Sequence, residues 1–206
     1  MTAAPAGRDT PRWAAWCLIA SGLAAAAIWI VFTQSHGPTS YNENRTVLGG
    51  NMYFWGWLLG TIPNALLVAG LLGLRPMLLH GAGRAARTGD GLALLGLAIA
   101  GAIDLVARSL GPPLLMPVQA LGLVLLGTGS AAPAASGPRR EVRAVIACIG
   151  VLLVVGFGVA LLPLDVFDAI EGYRIYGAIV HVGTGIGWVV TGVLCLRPDR
   201  AVVATP

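Results

Sequence analysis

Two ionisable residues near the end of one long apolar stretch have a spacing that could support chemistry. Asp104 and Arg108 are four residues apart, so on a helix they share a face and can pair. A charge inside a membrane span costs about 3 kcal/mol or more unless it has a partner, so such residues have either a structural or a functional use. One interpretation is a structural ion pair. The other places Asp104 in a cavity, with Arg108 tuning its acidity or holding an anionic group.

A second group of charged residues follows the fifth apolar stretch. Asp165, Asp168, Glu171 and Arg174 are spaced by threes, so on a helix they form one slowly drifting stripe. This pattern is typical of a helix lying on the membrane surface with a solvated face, although carboxylates beside a cavity can also bind a cation or exchange protons. His181 lies about two turns beyond Arg174, where it could face the same cavity. We therefore take Asp104, Asp168, Glu171 and His181 as candidate acids or bases.

Aromatic and amide side chains could line a site beside these acids. The second apolar stretch begins with an aromatic run and has Pro63 and Asn64 near its middle. Aromatic residues at the end of a span usually form the interfacial belt. Proline frees a backbone carbonyl, and the amide at the next position either bonds locally or contacts a ligand. The candidate binding residues are Asn64, Trp55, Trp57, Arg108, Tyr173, Arg174 and Tyr176.

The elements that must position these residues are apolar helices. Apolar residues make up 56% of the 206-residue sequence and charged residues only 11%, which is typical of a membrane protein. Because a crossing helix needs about 20 apolar residues, the pattern predicts an all-α, polytopic membrane protein with six transmembrane helices in three hairpins. The predicted spans are 13–32, 54–74, 92–110, 114–130, 142–162 and 176–196.

The arginines indicate how the helices are oriented. All thirteen basic residues are arginine, and ten fall in segments that share one side when the N-terminus is placed in the cytoplasm. This bias predicts that both termini are cytoplasmic in a protein of the cell membrane. Residues 1–12 are predicted to be a disordered cytoplasmic N-terminus, 13–196 the six-helix domain, and 197–206 a cytoplasmic tail.

Neither a metal nor another cofactor is expected from the sequence. No P-loop, zinc-protease, nucleophile-elbow or aspartate-rich diphosphate motif is present. The three cysteines form no C-x-x-C pair. The small residues Gly183 and Gly187 predict a close helix contact, either within the chain or with a helix partner or second copy.

Three functions remain open on these grounds. The first is a membrane-embedded enzyme that uses an acid in an apolar cavity to protonate a lipid-like or isoprenoid substrate, for example in a terpene cyclase-like reaction, with aromatic faces stabilising the cation. The second is a permease or substrate-binding membrane subunit for a small solute. The third is a non-enzymatic assembly or partner subunit. We take the enzyme as the working hypothesis because it best explains acids surrounded by aromatic residues.

Overall fold

The computed structural model describes residues 11–35, 46–108, 114–129, 138–161 and 170–197. Apart from one isolated bridge between Val47 and Gly50, the regular structure in these ranges is entirely helical. The all-α prediction is therefore confirmed for this part of the chain. Asp165 and Asp168 lie outside the described residues.

The helices follow the predicted apolar stretches. They are α1 (Arg12–Ser35), α2 (Met52–Leu78), α3 (Arg84–Ala107), α4 (Met116–Thr128), α5 (Pro138–Ala160), α6 (Ile170–Gly177), a π-helical segment (Ala178–Gly183) and α7 (Thr184–Leu196). The last three are contiguous, and we refer to them together as the C-terminal rod.

Five helical segments of the described chain are long and apolar enough to cross a membrane. They correspond to five of the six predicted spans and are consistent with a multi-pass membrane protein. The fourth predicted span is the helix α4, which has 13 residues. At about 1.5 Å per residue it is about 20 Å long, shorter than the roughly 30 Å hydrocarbon core. The six-span count, the hairpins and the cytoplasmic termini stay predictions.

The helices pack side by side in chain order and close into a ring. Each of α1 to α4 contacts the next helix along the chain, α5 contacts the C-terminal rod, and the rod contacts α1. Neighbouring helices run antiparallel, as paired contacts show: Gly60 lies against Asp104 while Gly101 lies against Asn64. In this ring α3 and the C-terminal rod stand on opposite sides.

Glycines allow the ring to close tightly. A Cβ atom on Gly22 of α1 would lie 2.2 Å from the carbonyl oxygen of Gly185 in α7, which is backbone against backbone. A Cβ atom on Gly187 would lie 2.5 Å from Ile149 of α5, whereas Gly183 has ordinary contacts. Gly187 is therefore used for packing within the chain, as small residues commonly are between apolar helices. A partner or second copy at this glycine pair stays a prediction.

One end of the ring is filled by side chains. Near the carboxyl end of α2, Leu74 and Leu78 are fully buried, as are Leu126 of α4 and Ile146 of α5. The buried side chain of Arg143 crosses the ring from α5 and donates a hydrogen bond to the carbonyl oxygen of Leu78. The cavity described below is lined by residues towards the other end of the ring.

Candidate functional site

A cavity of about 220 Å³ lies inside the ring, towards the end where α3 finishes and α4 begins. Side chains from every helix of the ring line it, and most of them are apolar. The polar lining residues are Ser21, Asn64, Asp104, Gln119, Tyr176, His181 and Thr184. A mostly apolar cavity with a few convergent polar groups is the usual form of a small-molecule site.

Helices α1 and α2 form one wall around the proline in the middle of α2. The hydroxyl of Ser21 donates a hydrogen bond of 2.9 Å to the carbonyl oxygen of Pro63. The amide nitrogen of Asn64 donates to the carbonyl oxygen of Gly60, one turn earlier, at 2.7 Å. A proline interrupts the backbone hydrogen bonds of a helix, and these side chains add donors at the same depth. Asn64 is partly buried and is one of the residues that line the cavity.

Asp104 sits at the contact between α2 and α3. Its side chain is 6% exposed and lines the cavity. It lies directly over Gly60, where an added Cβ atom would come within 2.1 Å of Asp104 Oδ2. The absence of a side chain at Gly60 therefore creates the space that the carboxyl group occupies. The position of Asp104 on α3 thus depends on a glycine in α2.

The π-helical segment of the C-terminal rod shapes the opposite wall. Tyr176, Val180, Thr184 and Trp188 all line the cavity at spacings of four residues. In an α-helix, residues spaced by four drift around the axis by about 40° per step, because one turn takes 3.6 residues. The wider π turn between Ala178 and Gly183 counteracts that drift. The rod therefore keeps one face towards the cavity for three successive turns.

The same π segment changes the local hydrogen bonding. The backbone N–H of Thr184 donates to the carbonyl oxygens of Ile179 and His181. Its hydroxyl group donates to the carbonyl oxygen of Val180, which lies between them. The threonine side chain thus satisfies an acceptor within the irregular turn, as Ser and Thr side chains do in apolar helices. Single π turns often occur at functional sites.

His181 is held by aromatic rings and lines the cavity. Its ring stacks on that of Trp29 in α1, with 4.7 Å between centroids and 24° between planes. The rings of Tyr176 and His181 meet edge to face, with 6.1 Å between centroids and 82° between planes. The Nε2 atom of His181 is buried and has no hydrogen-bond partner among the described residues. Because an unpaired buried polar atom costs about 1–3 kcal/mol, this atom is a candidate for bonding a ligand.

The remaining polar lining groups differ from His181 in how they are bonded. The hydroxyls of Ser21 and Thr184 and the amide nitrogens of Asn64 and Gln119 all donate to backbone carbonyls. The bonds of Ser21 and Gln119 join neighbouring helices, whereas those of Asn64 and Thr184 lie within one helix. The groups best suited to proton chemistry are therefore the Asp104 carboxyl group and the His181 imidazole, which come from opposite sides of the ring.

The other predicted site residues are placed as follows. Arg108 and Arg174 are exposed and lie outside the lining, with Arg108 just past the end of α3 in a left-handed conformation. Trp55 and Trp57 also lie outside the lining. Trp55 Nε1 donates to the carbonyl oxygen of Val47 at 2.9 Å, while Trp57 Nε1 is buried with no partner in the described part of the chain. Glu171 and Tyr173 belong to α6, but their side chains are not among those described.

Sequence reasoning missed Ser21, Trp29 and Gln119. Each lies on a different helix from Asp104 and His181, so no local spacing links it to either residue. The signal that was available for Gln119 is its polarity in the first turn of a short apolar helix. In the described ranges no three His, Cys, Asp or Glu side chains cluster as a set of metal ligands.

Comparisons with protein-family models, with curated proteins and with solved structures found no match for this chain.

Proposed function

We propose that this chain is an integral membrane enzyme that binds a small, largely apolar molecule in its central cavity and transfers a proton to it from Asp104. The observation that supports this most directly is that one mostly apolar cavity contains an acid and an imidazole nitrogen that has no hydrogen-bond partner in the described ranges. A carboxyl group is one of the side chains that commonly act as general acids, and it can do so without a metal ion. Following the arginine distribution, we place the enzyme in the cell membrane with both termini in the cytoplasm.

The cavity volume limits the size of the substrate. A cavity of roughly 150 Å³ lined by apolar residues holds one benzene molecule. By the same ratio, the cavity of about 220 Å³ holds about nine non-hydrogen atoms. The substrate is then a molecule of this size, or the reacting end of a longer lipid or isoprenoid whose remainder lies outside. A complete long isoprenoid chain does not fit within the cavity.

The two polar groups suggest complementary roles. Asp104 would donate a proton to a double bond or to an oxygen of the substrate. His181 Nε2 would accept a hydrogen bond or a proton from the substrate on the other side of the cavity. The nearby rings of Tyr176 and Trp188, which also line the cavity, could stabilise positive charge that develops between the two groups.

The test is mass spectrometry of lipids and metabolites in membranes that contain the wild type, Asp104→Asn or His181→Phe at matched protein levels. We expect at least one lipid-soluble product to fall by roughly 10²-fold or more in Asp104→Asn, the usual effect of removing a general acid. His181→Phe keeps an aromatic ring against Trp29 but removes Nε2, so it tests the nitrogen rather than the stacking.

Asp90→Asn is the matched control. Asp90 is a second buried aspartate on α3, but it lies outside the cavity and pairs with Arg75 at 2.8 Å. If Asp90→Asn retains the product while Asp104→Asn loses it, the acid in the cavity is responsible. If all the variants give the same membrane composition as the wild type, the proposed catalysis is refuted. A molecule that co-purifies unchanged with the wild type would instead favour the binding or transport function.

A further inference from the structure

Two residues that line the cavity, one on α3 and one just before α4, are also exposed at the surface of the ring. They are Ile103, which is 50% exposed, and Leu114, which is 74% exposed. Ile103 belongs to the last turns of α3, and Leu114 lies just before α4 begins. We call this position the α3–α4 opening. It lies beside Asp104, whose side chain is turned inwards and buried.

Apolar residues form both sides of the α3–α4 opening. Ile103 continues a row of exposed apolar side chains on α3 that includes Ile99 and Val106. This helix is one of those long and apolar enough to cross a membrane. We expect its exposed apolar face to lie against lipid acyl chains, because the exposure of apolar surface to water is unfavourable. The polar lining groups of the cavity lie behind this apolar rim.

From this arrangement we infer that the α3–α4 opening admits its ligand sideways from the bilayer, and that the ligand is a neutral, membrane-dissolved molecule with an apolar body and one hydrogen-bonding end. The inference rests on the proposed function for the identity of the site, but it concerns the substrate class and its route. A charged or strongly hydrated solute would lose its water at an apolar rim before reaching any polar group, at a cost of several kcal/mol for a charge. A molecule already dissolved among acyl chains has no such water to lose. Its polar end would gain a bond at Asp104 or His181.

The first experiment asks what surrounds the opening. In a chain whose three cysteines are replaced by alanine, a fluorophore is attached at Ile103→Cys and the protein is reconstituted in vesicles. Val106→Cys is the reference for the outer face of α3, and Glu141→Cys is the reference for an exposed polar position. We expect lipids with brominated acyl chains to quench the Ile103 and Val106 labels and iodide to quench mainly the Glu141 label. Efficient quenching of the Ile103 label by iodide, with none by brominated lipid, would overturn the inference.

The second experiment asks whether a ligand passes the opening. Vesicles containing the protein are labelled with a photoreactive eight-carbon alcohol that carries a diazirine, and the labelled residues are identified by peptide mass spectrometry. Ile103→Trp places a bulky ring at the opening, whereas Val106→Trp places the same ring on an exposed part of α3 outside the lining. We expect Ile103→Trp to lower the rate of labelling of cavity residues by at least about fivefold, because the added ring overfills the opening. Val106→Trp should label like the wild type.

The outcomes separate the route from the catalysis. Equal labelling of cavity residues in Ile103→Trp and Val106→Trp would refute access through the α3–α4 opening. Asp104→Asn should still be labelled by the alcohol even though it forms no product. If no membrane yields a product but Ile103→Trp still slows labelling, the proposed catalysis fails while the lateral route is supported.

Discussion

The Gly60→Ala substitution tests the contact that positions the candidate acid. A Cβ atom at residue 60 would lie 2.1 Å from Oδ2, 2.5 Å from Cγ and 2.7 Å from Cβ of Asp104. Rotating the carboxyl group could clear the first two contacts, but the Cβ atom of Asp104 moves only with the backbone of α3. Helices α2 and α3 must therefore separate locally to accept even one methyl group, and Asp104 must move with them.

The expected magnitude combines two opposing effects. Overfilling a close-packed contact costs about 1–3 kcal/mol, and a contact that only backbone movement can relieve belongs at the upper end of that range. Removing a glycine from a helix interior recovers about 1 kcal/mol. We therefore expect the free energy of unfolding to fall by about 2 kcal/mol, which for a chain of this size lowers the melting temperature by roughly 4–8 °C.

Thermal unfolding of the purified protein in lipid nanodiscs, followed by near-ultraviolet circular dichroism, measures this change. Gly91→Ala is the control, because it lies on α3 with no atom within 4 Å of the added Cβ. It should raise the melting temperature slightly, since only the helix-propensity effect applies. The double variant Gly60→Ala with Asp104→Ala should recover little stability, because Cβ remains at residue 104. Full recovery in that variant, or a Gly60→Ala protein as stable as Gly91→Ala, would refute this account of the contact.

Three further substitutions test interactions away from this contact. Arg75→Met should lower the free energy of unfolding by about 2–3 kcal/mol, because it leaves the buried Asp90 carboxylate without its cation. The loss is smaller than for a fully buried pair because Arg75 is half exposed. Denaturant titration measures this change, and an unchanged midpoint would contradict the prediction. Glu141→Gln should change the same quantity by less than about 1 kcal/mol, because its 3.7 Å pair with Arg197 is exposed. Trp29→Ala removes a side chain that is 3% exposed and should cost about 3–5 kcal/mol in thermal unfolding, so a wild-type melting temperature would show that the ring is not part of the core.

The helical fold was predictable because its signal is local. Long runs of apolar residues can satisfy their backbone groups in a membrane only as helices or closed barrels, and their length of about 20 residues favours helices. The prediction for 114–130 is the informative exception: the helix there has 13 residues, Met116–Thr128. Pro117 at its start and Gly129 at its end set these limits, while an apolar stretch shows only how far a helix could extend.

The candidate site was predictable only in part. Asp104, Asn64 and His181 were identified because polar groups in apolar stretches are unusual, and Tyr176 because it lies beside a cluster of charged residues. All four line one cavity. Sequence spacing could not indicate that the partner of His181 is Trp29, about 150 residues earlier in the chain. Sequence spacing alone also could not show that α3 ends at Ala107 and that Arg108 is exposed just beyond it.

The sequence by itself determined the helical class, the approximate extent of each helix and the few polar residues worth considering, since these follow from the hydropathy and backbone demands of single segments. Tertiary structure decided which of those residues meet. The order of the ring brings α3 and the C-terminal rod to opposite sides of one cavity, and the missing side chain of Gly60 leaves room for Asp104. The π turn at Ala178–Gly183 keeps residues spaced by four along the rod on the side that faces the cavity. These features depend on how separate helices pack and on a local departure from α-helical geometry, and the spacing of apolar residues within one segment predicts neither.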